Sequence, residues 1–98
     1  MASQDIVNVD VVFRFFRKEI IALFPYEIWS GYDVTSYAHV GQHSGADYKG
    51  VVNSSRPASV GEYLPLLQEL QSIGYNVTVI NKRNTNSYLN AVHAKDKV

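Results

Sequence analysis

Cysteine is absent from the 98 residues, which excludes disulfides, thiolate zinc sites and cysteine nucleophiles together. An excess of either charge is lacking too. Nine Lys and Arg balance nine Asp and Glu, so the basic footprint of a dedicated duplex-DNA binder is missing and nucleic acid is not an expected partner. The Lys82-Arg83 pair and the basic tail beyond it read as a solvated end. No apolar run approaches the roughly 18 residues of a membrane span. Met1 to Val9 carries no basic stretch followed by an apolar one of signal-peptide length. The expectation is a soluble intracellular protein with no membrane partner.

Apolar and aromatic side chains are abundant: 46% of residues are hydrophobic and 12% aromatic, seven of them tyrosines. This is the composition of a folded domain and not of a disordered tail. A domain this short buries only about 60 to 65% of the surface its unfolded chain exposes, so partner chains would help it.

Val7, Val9, Val11, Phe13 and Phe15 alternate with Asn8, Asp10, Val12, Arg14 and Phe16. That period predicts a strand from Val7 to Arg17, its first face buried and its second mixed. Arg17-Lys18 supplies a tight turn, although neither residue is Gly or Asn, and Glu19 to Phe24 returns as a second strand until Pro25 stops it. Pro25 to Asp33 reads as a loop crowded with Tyr26, Ile28, Trp29 and Tyr32, either a lid on the core or a face for a partner. Val34 to Val40 alternates as a third strand.

Ser44, with Asp47 three residues on, has the form of a capping box and predicts a short helix from Gly45 to about Asn53. Asn53 to Pro57 breaks it. Ser59-Val60-Gly61-Glu62 is the full capping box, and Tyr63, Leu66, Leu67, Leu70 and Ile73 form the stripe of the main helix. Pro65 removes one bond of that helix. Gly74 ends it, and Tyr75 to Ile80 is a fourth strand. Residues 82–87 are a polar linker, followed by a short helix from Tyr88 to Val98 that would be marginal alone. The expected fold is α+β: an antiparallel sheet of about four strands packed by one main helix, with a short second helix and a C-terminal helix or tail. It comprises a single domain over residues 1–81 and a linker and tail over 82–98.

The segments Ile21-Ala22-Leu23-Phe24-Pro25, Ser36-Tyr37-Ala38-His39-Val40-Gly41-Gln42-His43, Arg56-Pro57-Ala58-Ser59 with Glu62-Tyr63, Leu67 and Glu69-Leu70, and Ile73-Gly74-Tyr75-Asn76 resemble small uncharacterised proteins encoded by bacteriophages and mobile genetic elements. The resemblance spans most of the chain from about Ile20 to Val79. It implies an accessory protein in the cytoplasm of a bacterial host, working by binding and not by turnover, with counter-defence as a role. No cofactor is expected.

Three constellations carry candidate chemistry. His39, His43 and Asp47 are four apart, a spacing that would align three metal ligands on one helix. Gly41 and Gly45 interrupt it, so no metal site is expected; the three residues define the alternative of a small metal-dependent hydrolase or nuclease. Ser44, His43 and Asp47 make no hydrolase relay, because neighbours in sequence cannot point at one another as a relay requires. The second constellation is an anion site. Helix starts at Ser44 and Ser59 offer free amides, Arg56 stands just before the second, and Gly45 and Tyr37 complete the set. Such a site suits a small phosphorylated molecule. The plainer account is that the serines cap their own helices and Arg56 pairs with Asp47 or Glu62. The third is an interface. Trp29, Tyr32, Phe16 and Tyr88 exceed what a domain this small buries, which predicts a homo-oligomer or capture of a host protein.

Overall fold

β1 (Val7–Phe16) lies inside the sheet with partners on both sides. Arg17 and Lys18 both adopt positive φ, 53° and 67°, the geometry of a two-residue hairpin whose twist matches the strands. β2 (Glu19–Ser30) therefore returns directly, with Phe16 opposite Glu19 and Val12 opposite Leu23. The computed structural model describes residues 7–38 and 42–96.

Pro25 does not stop β2. The register against β3 (Asp33–Ala38) shifts between Phe24 and Ile28, and Pro25 sits inside that bulge, where no ladder bond is asked of it. The expected loop is thus strand as far as Ser30, closed by a tight turn at Gly31, φ 57°. β4 (Gln42–Ala46) pairs antiparallel with β3, Tyr37 opposite His43 and Ser36 opposite Ser44. This shortens the helix expected from Gly45 to about Asn53 at its start and leaves its end in place. Ser44 is a strand residue, and α1 (Tyr48–Asn53) begins later, with Asp47 at its N-cap making no side-chain capping bond.

β5 (Arg56–Pro57) and β6 (Tyr75–Val79) lie along the other side of β1, antiparallel and parallel to it respectively. The order is β4-β3-β2-β1-β5 with β6 also on β1, a mixed and mostly antiparallel sheet of six strands in place of about four antiparallel ones. Between β5 and β6 stands α2 (Val60–Ser72), whose capping box forms as the sequence predicts: Ser59 Oγ accepts from the Glu62 amide and Glu62 accepts from the Ser59 amide.

Both faces of the sheet are covered. Val9, Val11, Phe13, Ala22, Phe24 and Tyr37 meet Leu66 and Leu70 of α2 on one side. Val12, Leu23 and Val34 meet Tyr48 and Val51 of α1 on the other, together with Tyr88 and Val92 of α3 (Thr85–Asp96). The C-terminal helix expected from Tyr88 is present, begins three residues earlier at Thr85, and docks on the same sheet. Three tyrosine hydroxyls fasten it: Tyr48 accepts from the Arg83 amide at 2.9 Å, Tyr26 accepts from the Asn84 amide at 2.6 Å, and Tyr88 donates to the Tyr32 carbonyl at 2.6 Å. The Arg83 guanidinium lies against the rings of Tyr48 and Tyr88, 4.2 and 3.6 Å from their centroids. No helix among the described residues is long and apolar enough to cross a membrane.

Arg14, on the mixed face of β1, is buried as well. Its guanidinium donates to Ser55 Oγ at 2.9 Å, the Val52 carbonyl at 3.0 Å and the Ser55 carbonyl at 2.8 Å. One buried side chain thus satisfies the C-terminal end of α1 and the turn into β5.

Candidate functional site

Strand parity brings Phe24, Tyr37 and His43 to the α2 face of the sheet, and the turn at Gly74 (φ 111°) delivers Tyr75 beside them. There Phe24, His43 and Tyr75 border an open cleft of about 350 Å³, lined also by Val9, Glu27 and Ile73 among others. Val7, Val9, Phe24 and Ile73 give it apolar surface. Its polar groups come from His43, whose Nε2 is 2.8 Å from the Tyr75 hydroxyl, and from Thr35 and Glu27. Tyr37 donates its hydroxyl to the Glu69 carboxylate on α2, a bond that raises the Tyr37 pKa with burial assisting. The Tyr75 pKa is raised by burial first and then by the negative charge of Glu27. Glu27 is the one carboxylate among the cleft's described lining residues, and none of them is Lys or Arg.

Beside the cleft, the Trp29 indole lies flat against Gly45, where a methyl group would collide with it. Gly45 pairs with Thr35 of the lining. Trp29 stays 47% exposed, so the sole tryptophan reports on this end of the sheet.

The expected anion site is not assembled. Ser44 sits on β4 and Ser59 follows β5, at opposite ends of the strand order. Four strand spacings separate them, roughly 19 Å. Arg56 is engaged near Ser59: it grips the Glu62 carboxylate with both terminal nitrogens, at 2.8 and 2.6 Å, and stacks 4.2 Å over the Phe15 ring. The plainer account holds for this end, with Glu62 as the anion at the helix start. Of the anion set, Tyr37 and Gly45 are near the cleft, Tyr37 through its ring contact with His43 and Gly45 through its pairing with Thr35, while Arg56 and Ser59 are at the far edge of the sheet.

The metal constellation does not converge either. His39 lies outside the described residues. His43 faces the α2 side, whereas Asp47 folds over Gly50 at the start of α1, which packs on the other side. No group of three His, Cys, Asp or Glu among the described residues is placed to hold a metal ion. Among the expected interface residues, Tyr88 is buried in the core and Phe16 packs against the same cluster, because α1 and α3 supply the cover that a partner was expected to supply. Trp29 and Tyr32 remain exposed.

The Arg56–Glu62 pair gives the folded state a pH dependence. The Arg56 guanidinium and the Ser59 amide lower the Glu62 carboxyl to about 2 from an ordinary 4.5. A carboxyl depressed by folding contributes stability above its unfolded pKa and loses that contribution as pH falls through the folded value. The melting-temperature difference between wild type and Glu62→Gln is therefore expected to be full at about pH 5 and to shrink toward pH 2. A difference that stays constant over this range would contradict the pairing.

Glu27, Thr35, Glu69 and Tyr75 were not legible as site residues in the sequence. The available signal was parity: once residues 42–46 are read as a strand, His43 falls opposite Tyr37 and both face the main helix. Protein-family models, curated proteins and solved structures contain no match to this chain.

Proposed function

We propose that the chain works by binding and not by turnover, and that its ligand is an amine or other cation carried on an apolar body, held in the cleft between the sheet and the end of α2. The observation that carries this reading is the cleft's composition: aromatic and aliphatic walls from Phe24, Tyr75, Val9 and Ile73, with polar groups from the Glu27 carboxylate and the His43–Tyr75 pair. Apolar clefts with a few convergent polar groups are the usual form of small-ligand sites, and a carboxylate in the lining selects cations over anions. A phosphorylated ligand is disfavoured, since Arg56 is already occupied by Glu62. The resemblance to phage and mobile-element proteins supports an accessory role in which a host-derived molecule is captured and withheld.

Isothermal titration with phenethylamine and with hydrocinnamate, which exchanges the ammonium for a carboxylate, tests the reading. Phenethylamine is expected to bind with a Kd on the order of millimolar or tighter, at least about 10-fold better than hydrocinnamate. Glu27→Gln is expected to remove that preference. Equal binding of the two probes, or a preference untouched by Glu27→Gln, would refute the assignment.

A further inference from the structure

Among the described residues, β6 is bonded along one side only. Its N-terminal flank accepts from Val7, whose amide donates to the Gly74 carbonyl at 3.2 Å, and its C-terminal flank donates from the Ile80 amide to the Val11 carbonyl at 2.9 Å. The register between these points is unbroken. In a parallel ladder alternate residues address the same neighbour, so Gly74, Asn76, Thr78 and Ile80 face β1. The N–H and C=O groups of Tyr75, Val77 and Val79 therefore point away from the sheet.

Sheet edges are ordinarily guarded by lysines, prolines or bulges. Tyr75-Asn76-Val77-Thr78-Val79 has none of the three and bears no charge. Its surroundings on the α2 side are apolar: Val79, Val60 and Leu64 are 38, 62 and 41% exposed, and a groove of about 230 Å³ runs between Val60 and Tyr63 of α2 and Val79. Of the other outer strands, β5 is only two residues long and contains Arg56 and Pro57, and β4 lacks such a flank; the residues of β4 are polar or small, and Trp29 covers Gly45.

We propose that the outer edge of β6 pairs antiparallel with the same edge of a second copy of this chain, about a two-fold axis at Val77, to make one continuous sheet. The strand is self-complementary in that arrangement. Val77 exchanges both backbone bonds with Val77 of the second copy, Tyr75 stands opposite Val79, and Asn76 stands opposite Thr78. Apolar side chains thus meet on the α2 face and polar ones on the other. No like charges face one another across the axis. The edge pairs whether or not a ligand is present, and its test is separate from that of the cleft.

Sedimentation equilibrium on the full chain at about 100 µM is expected to give twice the 11.0 kDa of one chain. Val77→Pro removes the central outward N–H and no bond to β1, and Val79→Lys places a charge at the edge. Each is expected to raise the dimer dissociation constant at least about 100-fold with the far-ultraviolet circular dichroism of wild type. Should Val77→Pro fail to fold, Val79→Lys decides alone. A wild-type monomer at that concentration would overturn the proposal. So would a dimer that survives Val79→Lys, or one that dissociates only on Trp29→Ala.

Discussion

Arg14→Met is expected to destabilise the folded chain by about 3 kcal/mol, the largest effect of any substitution at a charged residue here. Methionine keeps most of the side chain's apolar stem, so the loss isolates the guanidinium. Its removal takes the donor from the Ser55 carbonyl and hydroxyl, and leaves the Val52 carbonyl only the long contacts from the Ser55 amide and hydroxyl at 3.4 and 3.5 Å. Bonds from a charged donor are worth about 1.5 to 3 kcal/mol each, and buried acceptors left unpaired carry a penalty of their own. Against these stands the relief of burying one charge fewer, which keeps the net near the value of a single strong bond. Thermal denaturation should show a fall in Tm of roughly 12 to 24 °C for a domain of this size. Arg14→Lys should recover only part of it, because one ammonium cannot span three acceptors held by a planar fork. A change within a few degrees of wild type would mean that α1 and the turn into β5 hold themselves.

Tyr88→Ala is expected to cost about 4 kcal/mol, and the reason separates core from interface. Tyr88 is 6% exposed, packs with Val12, Leu23 and Val34, donates to the Tyr32 carbonyl and supports the Arg83 guanidinium. Tyr88→Phe keeps the packing and deletes only the hydroxyl, so it should cost about 1 kcal/mol. Denaturant unfolding of both variants measures the pair. Were Tyr88 an interface residue, the alanine variant would dissociate an assembly while leaving the monomer's stability nearly unchanged.

The sequence disclosed the elements whose signals are local. Ser59 and Glu62 announce α2 because the capping box is four consecutive residues, and the alternation from Val7 announces β1 because each side chain reports its own face. It disclosed less where tertiary context overrides local chemistry. Pro25 looks like a strand end, but the bulge between Phe24 and Ile28 leaves it with no ladder bond to lose. Ser44 looks like a cap, yet its neighbours Gln42 to Ala46 pair with β3, a long-range choice that no five-residue window contains. The mixed second face of β1 was read as a place for another chain. Val12 is instead covered by α1 and α3, and Arg14 bonds to the end of α1. The cleft was hidden for the same reason, since Glu27, His43 and Tyr75 come from three strands far apart in the chain and only the register unites them.

The claim at the centre of this account is that the cleft at Tyr75 takes a cation on an apolar body. The most direct measurement is amide chemical-shift mapping of the full chain during titration with phenethylamine. The account predicts saturable shifts concentrated at Thr35, His43, Gly74 and Tyr75, with a change in Trp29 fluorescence over the same range and no shift at Arg56 to Ser59. Shifts centred instead on Arg56 to Ser59, or equal shifts at the cleft from hydrocinnamate, would contradict it.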